Sequence, residues 1–324
     1  MLQTRFRKPP NSVDPSTWAS TDFPDLRAKC CRNACQGTTF PSDRTKSQPV
    51  PRPKDQAGRL RSVPHLARVA ELCKLALHHD VGHMTLSVVI PAFNEERLLP
   101  STLAALHQAL ECLHQLGWST EVIVCDNNSN DRTAEIARSH GATVVFEPVN
   151  MIGRARNAGA RAATGDWILF LDADSIPSPA LLQSMAKAIL TGKCFAGGST
   201  LRLDGGPPSA HFVTSVWNLI SWTGRWPAGS FIFVETAAFR EVGGFSLKQF
   251  AGEELDLARR LKRSDRARGR RLRILTGTPL ITSARKIRLY KPREILGFML
   301  RALFRPRSTM ASREACSMWY DGRR

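Results

Sequence analysis

The sequence predicts an α/β protein with a mostly parallel central sheet flanked by helices. Three observations carry that prediction. From Met84 onward, short apolar runs alternate with segments of helical period, the pattern of βα units in a parallel sheet. The run Trp167-Ile168-Leu169-Phe170-Leu171 holds only apolar side chains, as a strand buried on both faces must. It ends in Asp172-Ala173-Asp174, so acids emerge at the C-terminal edge of the sheet, where open α/β sheets bind ligands.

The elements follow in order. Leu86–Ile90 reads as a first strand. A helix comes next, with Leu99, Leu103, Leu106, Leu110 and Leu113 at alternating spacings of four and three and Gly117 as its stop. Glu121–Cys125 is a second strand, followed by a helix from about Asp131 to His140 that ends at Gly141. Thr143–Phe146 is a third strand and Gly153–Ala163 a helix closed by Thr164-Gly165. Trp167–Leu171 is the fourth strand. Ser178 caps a helix to about Leu190, and Phe195–Leu203 is a further strand. Beyond it the period weakens into irregular, aromatic-rich segments.

The 324 residues suffice for one large domain or two small ones. Residues 1–83 are rich in Pro, Ser, Thr, Arg and Lys and carry 14 Lys/Arg against 7 Asp/Glu; 32 against 21 remain for 84–324. Residues 1–60 have the composition of a disordered segment, while 64–80 carry a rough helical stripe. Because the well-patterned domain begins at Met84, the preceding stretch is expected to be a dispensable extension or a mis-assigned start. A basic tethering arm is the competing reading. The chain is thus divided into 1–83, a domain over 84–285 and a basic amphipathic region over 286–324.

The formal net charge of +18 suits anionic partners without choosing among phosphorylated metabolites, acidic lipid and nucleic acid. Nucleic acid is disfavoured, since the basic runs lack aromatic platforms and no known module is present. The eight cysteines show no paired CxxC spacing; Cys30, Cys31 and Cys35 lack a matching downstream Cys/His pair for zinc, and several others fall in apolar runs and read as small core residues of a reducing compartment. With neither a secretory signal nor an apolar run long enough to span a bilayer, the expected location is cytoplasmic, with the inner face of the membrane as the alternative.

Chemistry concentrates at the strand ends. On an extended backbone, Asp172 and Asp174 at i and i+2 can share one hard divalent cation, and such a cation commonly neutralises nucleotide phosphates. Pro91-Ala92-Phe93-Asn94-Glu95-Glu96 ends the first strand and Cys125-Asp126-Asn127-Asn128-Ser129-Asn130-Asp131-Arg132-Thr133 the second. Glu95 and Asp126 can accept from base N–H groups or ribose hydroxyls. Asp131 and Thr133 are placed to cap the next helix. A dinucleotide fingerprint GxGxxG is absent after the first strand, and so is the P-loop GxxxxGK[ST].

Ser87–Glu96, the Asp126–Thr133 turn, Gly153-Arg154-Ala155-Arg156-Asn157-Ala158-Gly159 and Leu169–Asp174 occur in that order. Together with Gly229-Ser230, Val242-Gly243-Gly244-Phe245 and Gly252-Glu253-Glu254-Leu255-Asp256-Leu257, this series resembles the family-two glycosyltransferases of the GT-A (nucleotide-diphospho-sugar transferase) fold. The resemblance covers roughly residues 85–265.

It implies an inverting, divalent-metal-dependent transferase using a UDP- or GDP-sugar. By resemblance, Pro91, Phe93 and Glu95 line the base and ribose pocket, Asp126 binds the base, and Arg156 approaches the nucleotide or its phosphates. Asp172, Ala173 and Asp174 form the DXD element: Asp174 holds Mg²⁺ or Mn²⁺ directly, and Asp172 contacts ribose and metal. Glu254 is the expected general base, with Glu253 as the alternative, because the family more often has Asp at the register of Glu254. The processive QxxRW element is absent, which favours single transfer. The acceptor is unidentified, and a lipid-linked one is compatible with the basic tail. The rival readings are a sugar-nucleotide pyrophosphorylase and a catalytically silent nucleotide-sugar-binding or membrane-associated scaffold.

Two further segments carry open readings. His211–Trp222 is an acceptor-site wall, a sugar-stacking surface or ordinary core. In 291–307, apolar residues among Lys and Arg describe either a helix lying on an anionic membrane or an apolar face closing the core.

Overall fold

The computed structural model describes residues 84–285, together with 289, 290, 293, 294, 297, 301 and 304–320. The expectations for residues 1–83, and most of those for 291–303, lie outside the described residues.

Strands β1 (Thr85–Ala92), β2 (Ser119–Asp126), β3 (Thr143–Phe146) and β4 (Trp167–Leu171) alternate with helices α1 (Leu99–His114), α2 (Thr133–Ser139) and α3 (Ile152–Ala162). Then come β5 (Ser175–Ile176), α4 (Pro179–Leu190), β6 (Cys194–Leu203), α5 (Pro208–Gly224), β7 (Phe231–Glu235) and α6 (Thr236–Glu241). The series ends with α7 (Glu253–Ser264), a 3₁₀ turn (Asp265–Arg268), β8 (Arg271–Thr282), α8 (Pro306–Ala311) and the single turn α9 (Ser317–Tyr320).

The sheet runs β3-β2-β1-β4-β7-β6-β8-β5. β3, β2, β1 and β4 are parallel, β7 is antiparallel to both β4 and β6, and β8 is parallel to β6. The sheet is therefore α/β as expected, with four parallel pairings and three antiparallel ones, the last being β5 on β8. Alignment of Ala92 with Asp126, and of Val89 with Phe170, brings the ends of β1, β2 and β4 to one edge.

Two apolar layers clamp the sheet. Val88, Ile90, Leu169, Leu171, Phe231 and Phe233 face α1 and α4. Val89, Ile168, Phe170, Ile232 and Val234 face the other way, among side chains of α6 and α7. This period-two partition is why the central strands read as unbroken apolar runs. On the second side Phe170, Phe239 and Phe245 pack with ring centroids 5.0–5.6 Å apart. The leucine stripe of α1 is buried as its spacing predicts, and Gly117 ends that segment at φ +80°. Ser178 caps α4, its side chain accepting from Leu181 N.

One expectation requires correction. The aromatic stretch after β6 is not irregular: it forms the 17-residue helix α5. Nor is it ordinary core, because only Ala210 and Ser221 of its residues are buried. Pattern reading places apolar stripes inside a fold, and here the stripe lies outside.

The described part of the C-terminal region packs back onto the domain. Cys316, Tyr320 and Ala251 form a small buried cluster with Phe250 and Met310. Phe250 N donates to Met310 O at 2.7 Å, and the Tyr320 hydroxyl donates to Phe250 O at 2.8 Å.

Helix α3 lies close on β1 because Gly159 has no side chain. A Cβ there would sit 2.4 Å from Val89 Cγ1. Gly159→Ala is expected to push the helix off the strand and to lower stability by about 1–3 kcal/mol, measured by denaturant unfolding. Because α3 carries Arg156, donor binding should weaken alongside.

Candidate active site

The turns after β1 and β2 are tied together by backbone groups that point away from regular structure. Asn94, at φ 53°, donates from its N–H to Ser129 Oγ, and its Oδ1 accepts from Asn130 N. Glu95 N donates to Thr133 Oγ1 at 2.8 Å. Asp131 accepts from both Glu96 N and Thr133 N, so it serves the start of α2 as expected and braces the neighbouring turn as well. Asp126 is buried, with Oδ1 accepting from Ser129 N.

Asn127, to which sequence reasoning gave no role, sets the next turn. Its Nδ2 donates to Glu147 O and Val149 O, and its Oδ1 accepts from Met151 N at 2.8 Å. Met151 precedes α3, so Asn127 fixes where that helix begins and thereby where Arg156 points. An Asn pair just after a strand end was the available signal.

A cleft of about 210 Å³ opens at this edge. Pro91, Phe93, Glu95, Asn127, Arg156, Asp172, Ala173, Asp174, Gly229, Ser230, Glu253 and Glu254 are among its walls. Of the expected site residues, Asp126 alone is not part of the lining; it is buried and bonded to Ser129 N. Ala173 O accepts from the buried Thr102 hydroxyl of α1 at 2.8 Å, which pins the Asp172–Asp174 turn.

Arg156 is the centre of the wall. An ordinary helix-face arginine would be solvated, whereas this one is 2 % exposed. Nη1 donates to Glu253 Oε1 at 2.7 Å, and Nη2 donates to Asp172 Oδ1 and Gly229 O, both at 3.0 Å. Its guanidinium also lies 5.2 Å from the centroid of Phe245, a cation–π contact. Four segments distant in sequence thus converge on one cation. Charge-assisted hydrogen bonds of this length are the strong kind.

A second guanidinium enters from the segment after β8. Arg285 makes two hydrogen bonds to the Glu95 carboxylate, at 2.8 and 2.9 Å, and lies 3.6 Å from Asp174 Oδ2. In the sequence Arg285 is one charge in a basic run, and nothing in its spacing separates it from its neighbours.

Glu253 and Glu254 open α7. Acids in a first turn are favoured by the helix dipole, but burial outweighs that here. Loss of solvent, and then the neighbouring Glu253 charge, push the Glu254 carboxyl up to about 8, with Arg156 opposing. Burial raises Glu253 as well, again against the pull of Arg156. Glu253 is buried and held by Arg156, while Glu254 is only half-buried.

The carboxylates of Asp172 and Asp174 fit a hard cation that is completed by its substrate. Mg²⁺ commonly takes one or two protein carboxylates plus substrate phosphates and water. Among the described residues no cluster of three or more His, Cys, Asp or Glu could hold a metal unaided, so phosphate oxygens would have to supply the remaining ligands. The cleft's charge agrees, because its lining sets five carboxylates against Arg156.

Residues 87–238 match glycosyl transferase family 2. An uncharacterized glycosyltransferase of Mycobacterium tuberculosis is 43% identical over 88 residues, 27% of this chain and 36% of the relative. The 4,4'-diaponeurosporenoate glycosyltransferase of Staphylococcus haemolyticus is 40% identical over 97 residues, 28% of this chain and 24% of that protein. The matches span about a third or less of these relatives' lengths. The fold is also that of glucosyl-3-phosphoglycerate synthase from M. tuberculosis, solved with Mn²⁺, UDP and glucosyl-3-phosphoglycerate. That similarity has a TM-score of 0.51 at 21% identity, over 77% of this chain and 84% of that one.

Replacing Arg156 by Met should leave Glu253 and Asp172 without their partner, at a cost of about 3–5 kcal/mol for a broken buried pair. Arg156→Met/Glu253→Met should recover much of the loss. A double-mutant cycle in urea checks both expectations.

Proposed function

From the match of residues 87–238 to glycosyl transferase family 2 and the geometry of the cleft, we propose that the protein transfers a sugar from a UDP- or GDP-sugar to an acceptor hydroxyl, with inversion. The observation that carries this reading is the shared cleft: Glu254 and the Asp172–Asp174 pair border one cavity, and Arg156 ties Asp172 to Glu253, the neighbour of Glu254.

In this reading Pro91, Phe93 and Glu95 receive the nucleoside, with the buried Asp126 bracing the turn after β2. Glu95 is engaged by Arg285 before the donor arrives, so the nucleoside competes with an arginine for that carboxylate. Asp174 and Asp172 would hold a divalent cation, whose chemistry is to neutralise the charge developing on the departing nucleoside diphosphate. UDP and Mn²⁺ in the fold neighbour support this choice of donor and metal.

Inversion needs the acceptor oxygen to attack from the face opposite the diphosphate, with a base at hydrogen-bond reach. Glu254 fits that role better than Glu253, whose carboxylate is occupied by Arg156. Glu253 then serves as the anchor that fixes Arg156 and the first turn of α7. A carboxyl poised near 8 gains basicity as a proton acceptor, and gives up some of its ionised population at neutral pH.

Thermal-shift titration with UDP- and GDP-sugars, with and without Mn²⁺, tests the donor assignment. Stabilisation by one nucleotide series, dependent on metal and lost in Asp174→Ala, is expected. No shift from any donor in a folded sample would overturn the reading. Glu254→Gln should leave the donor-induced shift in place and cut turnover about 10²-fold or more. If it turned over normally, the base would lie elsewhere.

The pH dependence has a definite sign. Glu254 acts only when ionised, so kcat/KM should rise with pH along a limb near 8. The same elevated value means that ionising Glu254 costs the native state stability. Stability should therefore fall as pH climbs from the ordinary glutamate range through about 8. Glu254→Gln should remove that fall, and melting temperatures of the two proteins between pH 5 and 9 check it.

A further inference from the structure

Helix α5 is amphipathic in the reverse sense. Its sheet-facing side is mostly small or polar: Ala210 and Ser221 are buried and Asn218 is bonded to β6, with the half-buried Trp217 as the one large side chain among them. Asn218 Oδ1 accepts from Leu201 N and its Nδ2 donates to Leu201 O, both at 2.8 Å. The Ser221 hydroxyl donates to Trp226 O at 2.6 Å. These bonds fasten the helix by its polar face.

The outward face is apolar. Phe212, Val216, Leu219 and Ile220 stand at i, i+4, i+7 and i+8, with Val213 beside them, and all are exposed. Phe212 is 70% exposed and Leu219 59%. No Asp, Glu, Lys or Arg occurs between Pro208 and Gly224. Scattered exposed apolar residues are ordinary, but a contiguous stripe at helical spacing marks an interaction surface.

What borders this stripe identifies its occupant. Trp222, 57% exposed near the end of α5, shares a cavity with Lys187, Arg225 and Arg273. Arg225 also lines a neighbouring cavity with Lys193, Arg271 and Arg273, and these last four are exposed. An apolar helix face continuous with an exposed basic cluster matches a bilayer surface: the stripe meets the acyl boundary and the cations meet anionic headgroups. The charged residues lining these two cavities are all cations, which suits anionic headgroups better than a soluble protein partner.

The helix is also near the chemistry. Arg225–Ser230 links α5 to β7, and Gly229 in that link receives the Arg156 bond and lines the cleft. A membrane contact at α5 would therefore lie within a few residues of the transfer site.

We propose that α5 and the basic cluster around Arg225 form a peripheral docking surface for an anionic bilayer. The apolar stripe supplies immersion, and the arginines supply the preference for negative headgroups. This holds whether or not the cleft transfers sugar, because the surface lies outside it.

The test is co-sedimentation of the full chain with vesicles of phosphatidylcholine alone and of phosphatidylcholine with phosphatidylglycerol. Binding to the anionic vesicles is expected, with little to the neutral ones. Phe212→Ser/Leu219→Ser should weaken it about tenfold, with melting temperature and far-UV spectrum unchanged because both side chains face outward. Arg271→Glu/Arg273→Glu should remove the preference for anionic lipid. Undiminished binding by the folded α5 variant would overturn the proposal and move the contact to another basic segment. Light scattering provides the second check: a dimer that Phe212→Ser/Leu219→Ser dissociates would show that a second copy covers the stripe, which also overturns it.

Discussion

The cleft depends on one buried cation. Arg156 comes from α3, Glu253 from the start of α7, Asp172 from the end of β4 and Gly229 from the turn before β7. α3 and β4 follow one another in the chain, while Gly229 and Glu253 come from 73 and 97 positions beyond Arg156. A desolvated guanidinium is tolerable only when carboxylates and carbonyls replace its water. The requirement acts in both directions, because Glu253 and Asp172 also need Arg156. Removing any member leaves the others in poor solvent, so the interaction holds the site's geometry more firmly than it stabilises the fold. The neighbouring Glu254 carries the consequence, since its elevated proton affinity comes from the same burial and the same paired acid.

The fold was legible where a strand or helix repeats its own period. The runs at Val88–Ile90 and Ile168–Leu171 announced strands buried on both faces, and the α1 leucines announced the surface they cover. The acids Glu95, Asp172 and Asp174 were legible because they follow strand ends at one sheet edge, whereas Glu254 was legible only through the family resemblance. Arg285 and Asn127 were not. Arg285 reaches Glu95 across 190 positions of sequence, and a residue whose meaning is a long-range partner leaves no local mark. Helix α5 was obscured for a different reason. Its aromatic stretch read as irregular rather than helical, and with no apolar face turned inward to mark a core stripe, the helix and its outward face emerge only from the fold.

Charge was the most misleading quantity. A net +18 suggests a surface that gathers anions, and a phosphorylated donor is an anion. Yet the cleft is acidic: Glu95, Asp172, Asp174, Glu253 and Glu254 face it, against Arg156 and the approaching Arg285. A diphosphate entering that arrangement meets repulsion from the acids it must pass. Two guanidiniums are already committed to Glu253, Asp172 and Glu95 through short bonds, so neither is available at full strength. A site with this balance can accept a diphosphate only if further positive charge enters with it or the acids take up protons. The Asp172–Asp174 pair is suited to the first route and the raised Glu254 to the second. Positive charge lies elsewhere too, with Lys193, Arg225, Arg271 and Arg273 grouped beside α5. Composition thus records two electrostatic environments as one number. The acidic one lines the cleft, and the basic one lies beside the exposed face of α5.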